Sequence, residues 1–216
     1  MTSPSKSDHL CYLRQALDLA RKSPPKPSNF CVGAILVSYP LNSSPEVLST
    51  GYTLQLPGNT HAEQCALSNL ASSHSISETQ IKSILTPGMN VFLYTTLEPC
   101  SRRLSGNTSC VQRIMATRDS SSGALGGIRK VIFGAKEPGT FVRDSESCRM
   151  MTDAGIDWEY VDGLQDEILS VSRSGHAKQA ANLNAKSEIE RWRQEAIPDN
   201  PKKRTMEIYT PSVSES

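Results

Sequence analysis

Three runs of this chain, CVGAILVSY from Cys31, MNVFLYTTL from Met89 and GGIRKVIFGA from Gly126, are apolar and β-branched almost without interruption. A strand with one face in water alternates apolar with polar residues, so continuous runs of this kind belong to a sheet covered on both faces. The covering layers are present between them. Leu10, Leu13, Ala16, Leu17 and Ala20 recur at helical spacing before the first run, until the prolines of SPPKPSN stop that helix. HAEQCALSNLASS, CVQRIMAT and SESCRMMTDAG read as further helices, the first with Ala62, Cys65, Ala66 and Leu70 on one side and the last closed by a glycine. VLSTGYTL comes after the first run and the turn-forming PLNSSPE and can pair with that run as a hairpin, and IDWEYV supplies a last strand. The alternation predicts an α/β fold of three layers, α/β/α, around a mixed central sheet.

A length of 216 residues suits one domain with tails. Residues 1–9 are expected to be an N-terminal tail, residues 10–172 the folded domain, and residues 173–216 a polar helical stretch that runs into a disordered end rich in proline, charge and serine. Lys and Arg total 23 against 22 for Asp and Glu, and aromatic residues make up 6%. A nucleic-acid partner needs a basic groove and stacking platforms, so none is expected. No apolar run is long enough to span a membrane, and MTSPSKSDHL has no signal-peptide core, so the expectation is a soluble cytoplasmic protein without a membrane partner. The cluster Pro201-Lys202-Lys203-Arg204 keeps a nuclear location open. Six cysteines in such a setting are thiols or metal ligands before they are disulfides.

The chemistry concentrates in three places: His61-Ala62-Glu63 opening a helix, Pro99-Cys100 closing a buried strand, and Cys110 opening the next helix. One imidazole and two thiolates make a three-ligand zinc site, which leaves a fourth position for water, as catalytic zinc requires. Free amides at the two helix starts favour thiolate at Cys100 and Cys110. Glu63, two residues beyond His61, can lie beside the metal without ligating it and move protons. Cys65 is the competing ligand, four residues after His61 on the same helix. Its place in the apolar stripe favours packing. Cys11, Cys31 and Cys148 read as buried thiols, and His9, His74 and His176, in polar segments, as solvated. Lys26 carries at most a weak case for substrate contact. Glu98 either faces the pocket or ties down the strand end.

H-x-E with P-C-x-x-C is the signature of zinc nucleobase deaminases. The first half is literal here, whereas nine residues, SRRLSGNTS, separate the two cysteines. That longer loop, TTLEPCSRRLSGNTSC as a whole, and Asn29 in PSNFCVGAILV resemble the cytidine-deaminase superfamily in its riboflavin-biosynthesis branch, and within it the fungal form. The resemblance spans Leu10 to Val161. It implies a cytidine-deaminase-like fold, bound zinc, a homodimer, and hydrolytic removal of the pyrimidine 2-amino group of a phosphorylated ribitylamino-pyrimidine. It also implies a free-standing deaminase, since the stretch beyond Val161 is too short and polar for a reductase domain. On that resemblance the loop between the cysteines becomes the specificity element. Arg102 and Arg103 are then candidates for the substrate phosphate, unless they are ordinary loop charges. Ser105, Asn107 and Thr108 are candidates for the ribityl chain, Gly106 for close backbone approach, Asn29 for the ring or ribityl hydroxyls, and Ala62, in the turn from His61 to Glu63, for the stacked ring. Deamination of another cytosine, guanine or adenine compound, or of a tRNA base, is the rival enzymatic reading. A structural zinc module is the non-enzymatic one, although it has no use for Glu63.

Overall fold

A computed structural model of the chain describes residues 4–103, 105–118, 126–136 and 146–176. Helix α1 (Lys6–Ala20) leads into the hairpin β1 (Gly33–Ser38) and β2 (Glu46–Tyr52). Next come α2 (Ala62–Ser73), β3 (Val91–Leu97), α3 (Cys110–Ala116), β4 (Ile128–Ala135), α4 (Glu146–Asp153), β5 (Asp157–Tyr160) and α5 (Gln165–Ser172). Two 3₁₀ turns, Glu78–Ser83 and Pro87–Met89, connect α2 to β3.

The strands form one five-stranded sheet in the order β2-β1-β3-β4-β5. β1 is antiparallel to both neighbours, while β3, β4 and β5 run parallel, so the sheet is mixed as expected. All residues of β1 and β3 are buried, whereas the outer strands β2 and β5 keep exposed positions. Alternate strand residues face two separate apolar layers. Ala34, Leu36, Leu93 and Val131 pack with Leu67 and Leu70 of α2, Ile114 of α3 and Met151 of α4. Ile35, Val37, Tyr94 and Ile132 pack with Leu13 and Leu17 of α1 and Ile168 of α5. A fully buried side chain of this size contributes about 1.5–3 kcal/mol, which is why both faces must be covered for such strands to be stable.

Two glycines set how close the helices come. A methyl group on Gly33 would stand 1.9 Å from the Ala16 carbonyl oxygen in α1. One on Gly51 would stand 2.3 Å from the Ala62 carbonyl oxygen and the Ala66 amide nitrogen in α2. The start of α2, which carries His61 and Glu63, therefore lies directly on the backbone of β2.

The register explains why distant segments meet. Ala34 at the start of β1 pairs with Thr95 near the end of β3, and Gly33 pairs with Tyr52 at the end of β2. The loops before β1, after β2 and after β3 consequently emerge at the same end of the sheet.

Several expectations need correction. α1 begins at Lys6, inside the stretch read as a tail: Ser5 Oγ accepts from the Asp8 amide at 3.3 Å, and the Asp8 carboxylate accepts from the Ser5 amide at 2.8 Å. A polar first turn closed by a reciprocal cap shows no apolar period to detect. His9, read as solvated, is buried, with Nδ1 2.9 Å from the Tyr94 hydroxyl, which itself lies 2.7 Å from that of Tyr39. His176 is half-buried against the Phe30 ring, centroids 4.8 Å apart. Cys11, read as buried, is exposed because it falls on the outer face of α1, while Cys31 and Cys148 are buried and His74 is exposed. The expectations for the chain beyond Gly175-His176, including the basic cluster at 201–204, lie outside the described residues.

Candidate active site

His61 is the N-cap of α2, in extended conformation, and the turn it begins carries Glu63, only 3% exposed. Cys100 lies just beyond β3 and is half-buried. Cys110 is the first residue of α3. It is held there by a capping box in which Ser109 Oγ accepts from the Gln112 amide and Gln112 Oε1 accepts from the Ser109 amide. That box, S-x-x-Q, is what turns the chain into α3 immediately before the second cysteine.

His61 Nδ1 lies 3.6 Å from Cys100 Sγ and 3.4 Å from Cys110 Sγ, and the three ligand atoms are all within 4.8 Å of one another. With zinc bonds of about 2.3 Å to sulfur and about 2.0 Å to nitrogen, tetrahedral ligands stand about 3.6 Å apart, so the donor set fits a zinc ion. Cys65, the alternative ligand, is wholly buried and is not part of the cluster.

Glu63 Oε2 accepts from Cys110 Sγ at 3.2 Å, and Oε1 accepts from the Thr95 hydroxyl at 3.4 Å. Burial pushes the Glu63 carboxyl up from its ordinary range, and the negative charge of Cys100 adds to the shift. The two sulfurs divide unequally. Cys100 is pulled down to about 4 by the hydrogen bond from Cys110, with His61 and the Cys110 amide helping. Cys110, bonded to that thiolate and buried, is pushed up and keeps its proton. A divalent cation held by both sulfurs would take the place of that proton.

Over this cluster opens a cavity of about 250 Å³. His61, Glu63 and Cys100 form part of its wall, along with Asn29 and Phe30 from the loop before β1, Asn59 from the loop after β2, and Glu98, Arg102, Arg103 and Ser105 from the loop after β3. Glu98 lines the cavity, and its carboxylate accepts from the Ser147 hydroxyl at the start of α4. Of the residues expected at the substrate, Asn29, Arg102, Arg103 and Ser105 line the cavity. Gly106, Asn107 and Thr108 do not: they are exposed, in a turn where the Gly106 amide donates to the Arg103 carbonyl and Gly106 takes φ +74°. A methyl group on Gly106 would meet no protein atom within 4 Å, so the glycine answers to the positive φ of the turn and not to packing within the protein. Ala62 does not line it either, because its side chain is buried in the layer beneath. Asn59, Phe30 and Thr95 were not anticipated. Their partners lie 30 or more residues away, a separation that leaves no local signal.

A cavity that opens over a cluster of one imidazole and two sulfurs, with a buried carboxylate beside them that does not belong to the ligand set, defines a class: metal-dependent hydrolytic enzymes with an open coordination position. The chain belongs to the cytidine and deoxycytidylate deaminase family, whose zinc-binding region model matches residues 6–122.

The crystal structure of the Aspergillus oryzae Rib2 deaminase, a C-terminal deletion mutant at pH 6.5, is 50% identical, with a TM-score of 0.71 over 82% of this chain and 97% of that one. The same deaminase in complex with DARIPP gives a TM-score of 0.72 at 50% identity, covering 84% of this chain and 97% of that one. The diaminohydroxyphosphoribosylamino-pyrimidine deaminase of Schizosaccharomyces pombe is 33% identical over 169 residues, 78% of this chain. The chain spans about a third of that relative, 36% of its length. Among the described residues no helix is long and apolar enough to cross a membrane.

Proposed function

We propose that this protein is a hydrolytic deaminase that removes the 2-amino group of 2,5-diamino-6-ribitylamino-4(3H)-pyrimidinone 5'-phosphate and releases ammonia. The observation that carries the reaction type is Glu63, a buried carboxylate 3.2 Å from a metal-ligand sulfur and open to the cavity. The substrate class rests on the likeness to a deaminase crystallised with DARIPP and on the loop after β3, which places Arg102 and Ser105 at the cavity.

His61, Cys100 and Cys110 would hold a zinc ion, which when bound would supply a Lewis acid that lowers the pKa of water to about 7. Glu63, whose affinity for a proton is raised by burial, takes a proton from the attacking water and delivers it to the ring nitrogen. The carboxylate then takes the second proton, from the hydroxyl now on the ring carbon, and passes it to the departing amine. Water oxygen remains on the ring carbon as the new carbonyl, the carbon–nitrogen bond breaks, and the amine leaves as ammonia. Thr95, fully buried, holds one oxygen of Glu63 in place through these transfers. Asn29 meets the ring or the ribityl hydroxyls, and Arg102, whose side chain is 83% exposed, meets the phosphate at the mouth.

Ammonia release from the purified protein, measured on this compound beside cytidine, deoxycytidylate, guanine and a tRNA-derived adenosine stem-loop, tests the reading. Preferential turnover of the ribitylamino-pyrimidine is expected, and activity confined to any of the others contradicts it. The homodimer implied by the family resemblance belongs to the same proposal, and light scattering should return twice the mass of the chain.

A further inference from the structure

Arg103 is one of two candidates for the substrate phosphate, and both terminal nitrogens of its guanidinium already have partners within the protein. One terminal nitrogen donates to Gln64 Oε1 at 3.0 Å, the other donates to the Asn59 carbonyl oxygen, and Nε is buried. Asn59 in turn uses its side chain on the substrate wall, where its Oδ1 accepts from Asn29 Nδ2 at 2.6 Å. Ser28 Oγ donates to Asn29 Oδ1 at 2.7 Å. Three loops that are unrelated in sequence, before β1, after β2 and after β3, are thus joined at the cavity wall. Arg102, its neighbour, is by contrast mostly exposed, with a 3.2 Å contact to Glu146 among the described residues.

We propose that Arg103 is a positioning residue: its two-armed bridge to Asn59 and Gln64 holds Asn59 where its side chain aligns Asn29 on the substrate. The inference rests on the functional reading above, in which Asn29 meets the ring or the ribityl chain. A planar fork is needed for this task, since a lysine can reach one of the two acceptors but not both. Gln64 contributes only as an acceptor, being absent from the cavity wall.

The test compares kcat/KM for the ribitylamino-pyrimidinone phosphate and for its dephosphorylated counterpart in wild type, R103M, R103K and the double variant Q64L/R103M, with zinc content measured in each. A strut predicts that R103M lowers kcat/KM for both compounds by the same factor, about 10- to 100-fold for a displaced contact, with zinc content unchanged. It also predicts that R103K is nearly as impaired as R103M, and that adding Q64L to R103M costs nothing further. A loss confined to the phosphorylated compound, or substantial recovery in R103K, makes Arg103 a phosphate ligand and overturns the inference. A further loss on adding Q64L to R103M, or loss of zinc from both R103M and R103K, overturns it as well. Wild-type inactivity on both compounds overturns the functional reading and this inference with it, an outcome distinct from any pattern among the variants of an active enzyme.

Discussion

Glu63 is a carboxylate with 3% exposure next to two cysteines, an arrangement that costs stability unless the charge is used. Glu63→Gln keeps the shape and removes the proton acceptor. Zinc content is expected to stay at the wild-type level while turnover falls about 10²- to 10⁴-fold, read by metal analysis and ammonia release on the same preparation. His9 offers a separate test away from the site. Burial holds its imidazole below the ordinary range, with the Glu159 carboxylate pulling the other way. The unfolded chain then takes up the proton first as pH falls, so the neutral form costs nothing above about pH 6.5, and stability declines below that until the lower folded value is passed. Thermal unfolding between about pH 7.5 and about pH 5 should show a steeper loss for wild type than for His9→Asn. Equal slopes would mean that His9 does not titrate differently in the folded protein.

Helix α2 brings His61 and Glu63 to the cluster, and α3 brings Cys110, so the way each is seated sets the site. A methyl group on Gly51 would press against the backbone of the first turn of α2, which cannot move without moving His61. Gly51→Ala is expected to destabilise the protein by about 1–3 kcal/mol or more and to weaken zinc binding, measured by denaturant unfolding and by competition with a chelator. Ser109→Ala removes half of the capping box ahead of Cys110, at a cost of about 1 kcal/mol. The elements that the sequence declares are those with a long apolar signal: β1, β3 and β4, covered on both faces, and the stripe of α2. Those that it hides are held by polar reciprocity, as in the first turn of α1 and the Ser77–Gln80 cap of the 3₁₀ turn at Glu78–Ser83. The cavity wall divides in the same way. His61, Cys100 and Cys110 each stand at a boundary between an element and a loop, where a motif is visible. The pairing of Asn29 with Asn59, and of Arg103 with Gln64, arises only once the register of β1 against its neighbours has brought three loops to one end of the sheet.

The sheet also makes the metal a cross-link. His61 lies 39 residues from Cys100 and 49 from Cys110, on segments that only the folded chain brings together. An ion bound to the folded state alone stabilises it by mass action, about 2.7 kcal/mol at a hundredfold excess over its dissociation constant. Chelation should therefore lower the melting temperature, and added zinc should restore it, with scanning calorimetry as the readout. An unchanged melting temperature would mean that the three side chains do not share an ion. X-ray absorption at the zinc edge of the purified protein examines that shared ion most directly. The account predicts one zinc per chain with two sulfur neighbours at about 2.3 Å and lighter atoms at about 2.0–2.1 Å, the set of His61, Cys100, Cys110 and one non-protein position. A third sulfur, which would bring in Cys65, or a protein without stoichiometric zinc would contradict it.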